Sequence, residues 1–271
     1  SPPGAGGVVT GYVAPTLIAV VKDAATRAGL DPSGIQSIGS VEALRKIQQG
    51  NIPDVYASVD IELASDLSKV QGVREVFSLG RFKLALACWR PVSSPADLVG
   101  LKTALVDPNK GPIGYRELAA VWMLKRNGVA DLTEKYAALG VKFVETQAGA
   151  NITVPTTLSS TERAVAVPNL DAAWSQFETK AVDCIFAYVP FLINKGVSLA
   201  RNASGAVWDV YLGRSQGGAR FYVYVFKPPY DFAQDPPYVI YVNFVDQSGK
   251  VVKTIRVGHF EAFAASFTDK G

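Results

Sequence analysis

Histidine, cysteine and methionine are nearly missing from this chain. One histidine (His259), two cysteines and one methionine among 271 residues leave no His/Cys cluster with metal-ligand spacing. A lone imidazole and the lack of a Gly-x-Ser-x-Gly turn remove the parts of a serine–histidine–aspartate or zinc mechanism. Nothing marks a pair among the acidic residues for acid–base work either, so the chain does not read as an enzyme. An excess of one charge is also lacking: 27 basic against 24 acidic residues give a net +3, and Lys and Arg are scattered singly. That pattern excludes a nucleic-acid partner. No apolar run reaches the ~18–20 residues of a membrane helix.

What is present is a chain built to pack. Hydrophobic residues make up 48% and charged residues 19%, the balance of a globular protein with a large core. Its 271 residues suit two lobes of ~100–150 residues each. The first seven residues, Ser1-Pro2-Pro3-Gly4-Ala5-Gly6-Gly7, have the composition of a tether. That fits a mature chain freed of a signal peptide or held by an anchor, and equally a plain disordered terminus. Cys88 and Cys184 each lie in an apolar, strand-like run, 82–88 and 182–188. They fit two buried thiols packing as small hydrophobes, or a disulfide in an oxidising compartment. Sequence does not choose between these.

The most informative segment is Asp107-Pro108-Asn109-Lys110-Gly111-Pro112-Ile113-Gly114-Tyr115-Arg116. An extended run, 102–106, enters this Pro/Gly loop. A helix with Leu118, Val121, Trp122 and Leu124 at helical spacing leaves it. A glycine loop that opens a helix gathers unpaired backbone N–H groups at one point, which is a site for an anion. Two similar starts lie upstream. A strand at 8–10 leads to Gly11-Tyr12-Val13-Ala14-Pro15 and a helix stopped at Gly29, with Pro15 suited to a first helical turn. A strand at 35–38 leads to Gly39 and Ser40, with Ser40 the expected N-cap of a helix carrying Val41, Leu44 and Ile47. A buried strand at 54–58 follows. This order predicts a parallel α/β sheet.

Further strands are expected at 82–88, 141–144, 182–188 and 221–226, with a helix at 171–179. The segment 196–218, rich in Gly, Ser and Arg, reads as a long surface excursion. Runs 239–245 and 251–257 flank Asp246-Gln247-Ser248-Gly249-Lys250 and predict a hairpin. A final strand at 260–267 returns the chain to its starting sheet.

The ordered set of Gly11 to Pro15, Gly39 to Ile47, Asp54 to Asp60, Asp107 to Arg116, Val182 to Tyr188 and Asp235-Pro236-Pro237-Tyr238 resembles archaeal molybdate/tungstate-binding proteins, the solute receptors of ABC importers. The resemblance spans nearly the whole chain apart from an insertion near 195–218. It implies an α/β, two-lobed type II periplasmic-binding-protein fold with a ligand cleft between the lobes. One lobe would comprise 1–86 plus 260–271, its C-terminal part shorter than in the family. The other would comprise 87–259, including the insertion and the hairpin 239–257. It also implies a monomer outside the cytoplasm, membrane-anchored, with no cofactor, handing a small oxyanion to a membrane permease.

Carried over residue by residue, the resemblance places Gly11, Tyr12, Gly39, Ser40 and Ser58 on one side of the ligand. Gly111, Ile113, Gly114, Tyr115, Ala187 and Tyr188 stand on the other. Two departures matter. The family's metal-ligating aspartate and glutamate correspond here to Gly111 and Ala187, so ligation through protein carboxylates is excluded at those positions. A tetrahedral oxyanion held by hydrogen bonds alone is the remaining expectation, and Lys110 stands where an acidic residue is common. A second reading keeps the fold but makes the chain a receptor or sensor ectodomain for sulfate, phosphate, an organic anion or no solute. Tyr12, Tyr211, Phe221 and Tyr222 would then be aromatic walls.

Overall fold

The β-α-β-α-β rhythm of the first sixty residues folds as a parallel unit. In this computed structural model, which describes residues 6–271, β1 (Val8–Val13) lies between β2 (Asp31–Ser37) and β3 (Val55–Ser58), parallel to both. The tether-like reading of the N-terminus falls, for residues 1–5, outside the described residues. α1 (Ile18–Arg27) and α2 (Ser40–Gln48) are the crossovers. α2 exposes its charged face and buries Val41, Ala43, Leu44 and Ile47, the i, i+3 stripe that apolar burial demands. After the single-turn α3 (Ala64–Leu67), β4 (Glu75–Arg81) forms the sheet edge. The last strand of the chain, β16 (Glu261–Ser266), inserts antiparallel between β3 and β4. Sheet I therefore runs β2-β1-β3-β16-β4.

Sheet II repeats this plan. The chain enters it through β5 (Leu84–Cys88) and continues with β6 (Thr103–Val106), α4 (Pro112–Arg126) and α5 (Thr133–Ala137). Next come β7 (Lys142–Glu145), β8 (Gly149–Val154), β9 (Ala164–Val167) and α6 (Leu170–Glu178). β10 (Cys184–Tyr188) and α7 (Val189–Asn194) precede β11 (Ser198–Ser204), β12 (Trp208–Arg214) and β13 (Arg220–Phe226). The order is β11-β12-β13-β5-β10-β6-β9. Counted from its own first parallel strand, sheet I reads 2-1-3-n-4 and sheet II reads 2-1-3-n-6-5-4, where n is the strand arriving from the opposite half. The fold is the two-lobed α/β class expected from the sequence.

A third sheet, β15-β14-β8-β7, contains the expected hairpin of β14 (Val239–Val245) and β15 (Val251–Arg256). α4 packs against β6 and β10 on one side and β8 on the other. It is buried around its whole circumference, including Arg116 and Glu117.

Three findings correct or complete the sequence reading. Residues 196–218 are no irregular excursion: β11 and β12 form an antiparallel hairpin that extends sheet II through β13. β11 is almost wholly exposed, so it carries no apolar alternation to read, and backbone pairing alone defines it. The same reason hides the mostly exposed edge strand β4. Cys88 and Cys184 face each other directly across antiparallel β5 and β10 and form a disulfide, with Cα atoms 4.2 Å apart. The neighbouring Trp89 N–H donates to the Asp183 carbonyl at 3.0 Å, so the cysteines occupy a narrow, non-hydrogen-bonded pair where side chains meet.

Candidate functional site

In open α/β sheets, ligand sites form beyond the carboxyl ends of the parallel strands, where the following helices begin. Here the carboxyl ends of both sheets meet. Ala14, Pro15 and Thr16 follow β1; Gly39 and Ser40 follow β2; Val59 follows β3. Opposite them stand Val106 and Gly111, Pro112 and Ile113 at the start of α4, Asn169 and Leu170 at the start of α6, and Tyr188 closing β10. Together they line a cavity of about 20 Å³, room for a small guest and far below the size of an organic-ligand pocket.

The backbone around it follows from helix geometry. The first N–H groups of a helix have no partner within the helix. At α2, Val41 and Glu42 donate to the Lys110 carbonyl and Ala43 to Gly39. At α4, Gly114 donates to Gly111, and Pro112 has no N–H. At α6, the Asn169 side chain accepts from Ala172 and its carbonyl from Ala173. Thr16, Ser40, Ile113 and Leu170 of the cavity wall each lie at the start of a helical segment, where no N–H bond from them to a backbone acceptor outside the segment is found among the described residues. Thr16 adds a second feature. Its Oγ1 is buried without any hydrogen-bond partner, in a residue only 1% exposed. Ser40 Oγ accepts from the Val59 N–H at 3.2 Å, which leaves its own proton for another acceptor. The wall contains no carboxylate, and the described residues hold no group of three or more metal-ligating side chains.

Of the residues singled out from sequence, the structure brings Gly39, Ser40, Gly111, Ile113 and Tyr188 to this wall. The others stand elsewhere. Gly11 and Tyr12 lie within β1, upstream of its carboxyl end. Ser58 is buried and turns its hydroxyl to Asp60, accepting that residue's N–H at 3.1 Å. Ala187 pairs with Ala85 inside sheet II. Gly114 serves close packing: a Cβ there would stand 2.1 Å from the Val106 carbonyl oxygen. Tyr115 points away to Asp60. Ser40 is the first helical residue, with Gly39 as N-cap. Lys110 acts through its carbonyl, which accepts from α2. The aromatic candidates share no cavity: Phe221 packs against Trp89, Trp174 and Phe177, while Tyr211 faces a separate surface groove.

The sequence profile of the bacterial extracellular solute-binding protein family matches residues 9–201, which include every strand of the cavity's parallel edges. The chain belongs to that family. It is an extracellular solute-binding protein and not an enzyme. No curated protein matches it in sequence. Among solved structures it is similar to the periplasmic molybdate-binding protein of Azotobacter vinelandii (18% identity over 81% of this chain and 86% of that one, TM-score 0.49). It is also similar to a tungstate ABC transporter structure from Geobacter sulfurreducens (11% identity, 81% and 85% covered, TM-score 0.42). An arginine transport periplasmic binding protein from Legionella pneumophila is a comparable neighbour (7% identity, 96% and 86% covered, TM-score 0.42).

Two wall elements of this solute-binding protein escaped the sequence reading. Thr16 follows Pro15 and reads as an ordinary helical residue; only its burial without a partner marks it. Asn169 follows Pro168 and caps α6, a start signal that the proline-led run 168–171 carries openly. The wall is also backed by a buried charge. Arg116 and Asp60 are fully buried and 3.3 Å apart, and Arg116 donates to the Tyr188 hydroxyl at 2.7 Å. Burial pushes the Tyr188 phenol up to about 12, although Arg116 opposes it. Burial lifts Tyr115 well above its ordinary range, and Asp60 adds to that. Both phenols therefore stay neutral donors at physiological pH.

Proposed function

We propose that the cavity binds one fully deprotonated tetrahedral oxyanion of the molybdate or tungstate type, and that the protein works as a monomer delivering this ion to a membrane permease. The lobes would divide as 1–86 plus 260–271 and 87–259. The reading rests above all on Thr16: a buried hydroxyl without a partner, in a wall built from the starts of helical segments. An unmade hydrogen bond at a buried polar group costs ~1–3 kcal/mol, and an oxyanion supplies the missing acceptor.

Several properties support the same class of ligand. Donors at helix starts carry partial positive charge without a titratable group, and hydrogen bonds to an ionised acceptor are roughly twice as strong as neutral ones. Ser40 Oγ already accepts from Val59 and so faces a ligand as a donor. The wall holds no carboxylate to accept the O–H of a protonated oxyanion, which favours a fully deprotonated ion over hydrogen phosphate near neutrality. The size of the cavity argues against an amino acid.

One observation favours the reading as a diverged receptor. The Lys110 carbonyl takes two α2 donors that would otherwise be open to an anion. Thermal shift and native mass spectrometry with molybdate, tungstate, sulfate, phosphate and arginine separate the two. Molybdate or tungstate is expected to raise the melting temperature and appear as a one-to-one adduct. A response to arginine or phosphate alone, or to none of the five, would reject the oxyanion proposal.

A further inference from the structure

Behind the cavity, one side chain joins pieces of the chain that are far apart in sequence. The guanidinium of Arg116, on α4, pairs with Asp60 at 3.3 Å just beyond β3. Its Nη2 donates to the His259 carbonyl at 2.9 Å, its Nε to the Gly258 carbonyl at 3.4 Å, and its Nη1 to the Val59 carbonyl at 3.3 Å. Nη1 also holds the Tyr188 hydroxyl at 2.7 Å. Val59 and Asp60 belong to the sheet I side, α4 and Tyr188 to the sheet II side. Gly258 and His259 lie in the segment that carries the chain back to sheet I. Phe260, in that same segment, stacks on the Tyr188 ring with centroids 4.0 Å apart and meets Phe82 of the outward crossing at 5.2 Å.

We propose that Arg116 is the positioning residue for closure: its bond set, beside the main-chain bonds from α2 to Lys110, holds the carboxyl edges of the two sheets together, and loosening that set opens the cavity. A buried guanidinium cannot exchange its partners for water at low cost. Separating the sheets by turning about the two crossings would draw Asp60 and Val59 away from it. Tyr188 carries the constraint to the cavity, since its hydroxyl is held by Arg116 and its residue lines the wall. A planar fork with five N–H donors can serve carbonyls, a carboxylate and a phenol at once, whereas a lysine ammonium offers three donors from one point.

The kinetic part of the test rests on the oxyanion reading; the scattering part does not. Small-angle X-ray scattering is measured for wild type, Asp60→Asn, Arg116→Lys and the paired Arg116→Met/Asp60→Asn without ligand and with saturating molybdate. Stopped-flow exchange with molybdate is run on the same four proteins. Asp60→Asn, nearly isosteric and outside the cavity wall, is expected to enlarge the ligand-free radius of gyration. It should speed molybdate release at least tenfold and leave association within about twofold. The paired variant should regain melting temperature and keep the enlarged radius. If the variants only melt earlier, with wild-type scattering and release, Arg116 is structural and the proposal is overturned. If wild type fails to bind molybdate, the ligand assignment falls, and the ligand-free scattering still decides the role of Arg116.

Discussion

The Lys110 carbonyl sits on the first turn of α2 and accepts the Val41 N–H at 2.9 Å, with Glu42 donating to the same oxygen at 3.0 Å. A backbone dipole from the sheet II side thus takes the place at a helix start where an anion would bind. The glycine-rich loop therefore has two roles. Asp107 builds it, accepting from Asn109, Lys110 and Gly111; the loop then offers Ile113 to the cavity and Lys110 to the facing helix. The two edges are joined by main-chain bonds as well as by Arg116.

Gly39 is the residue that permits this approach. A Cβ at position 39 would stand 2.5 Å from the Lys110 oxygen and 3.1 Å from its carbon, and neither can swing aside as a side chain would. Gly39→Ala is expected to separate the edges and weaken oxyanion binding at least tenfold, about 1.4 kcal/mol or more. The fold itself should stand, because the glycine is not at positive φ. Isothermal titration calorimetry beside thermal unfolding checks this; unchanged affinity would mean that the loop yields freely.

Thr16→Val has opposite signs on two readouts. Without ligand it removes a buried hydroxyl that has no partner and keeps the volume, so stability should hold or rise by about 1 kcal/mol. With ligand it removes a donor to a charged acceptor, and affinity should fall by about 1.5–3 kcal/mol. Urea unfolding and calorimetry on one variant give both numbers. Loss of stability without loss of affinity would place Thr16 outside the site.

The disulfide joins positions 96 residues apart and so closes much of the sheet II half of the chain. Restricting the unfolded chain over ~100 residues stabilises by about 4–5 kcal/mol in the chain-entropy account. Replacing both Cys88 and Cys184 by Ala should lower the urea midpoint accordingly, with the binding site intact in the fraction that folds. A midpoint within experimental error of wild type would show that the reduced chain is already restrained.

Glu117 gives a pH signature. Burial pushes its carboxyl up from the ordinary 4.5 to about 8, against the lowering effect of the Tyr136 hydroxyl, which donates to it at 2.6 Å. Between those two values the unfolded chain has released the proton and the folded protein still holds it. Stability from this group is therefore complete below pH ~4.5 and declines as pH rises toward ~8, by on the order of 2–4 kcal/mol. Lys135, pushed down by burial to about 8, stays protonated through most of that window. Glu117→Gln keeps an acceptor for Tyr136 and should flatten the slope of urea stability between pH 5 and 8. An equally steep slope in the variant would assign the effect to another group.

The elements that could be read from residues are those with an unbroken apolar run or with apolar residues at helical spacing. β1, β3, β5, β6 and β10 place apolar residues on buried faces, and the helices after Gly39 and Gly111 carry their own start signals. β11 and β4 could not be read, because an exposed edge strand needs no apolar pattern, only a neighbour to pair with. The wall residues Gly39, Ser40, Gly111 and Ile113 were legible as helix openings. Thr16 was not, since an orphaned hydroxyl is defined by what surrounds it. Gly11 and Gly114 carried the same local signal as Gly39 and stand outside the cavity, because glycine also serves close packing and strand interiors.

Sequence by itself determined the parallel α/β units and the turn chemistry of the helix starts, because these depend on neighbours within a few residues. Tertiary structure alone decided which helix starts converge, that Cys88 meets Cys184, and that Lys110 and Arg116 bind the two edges together. Those outcomes depend on strand order and register between segments tens to hundreds of residues apart, which local preference does not encode.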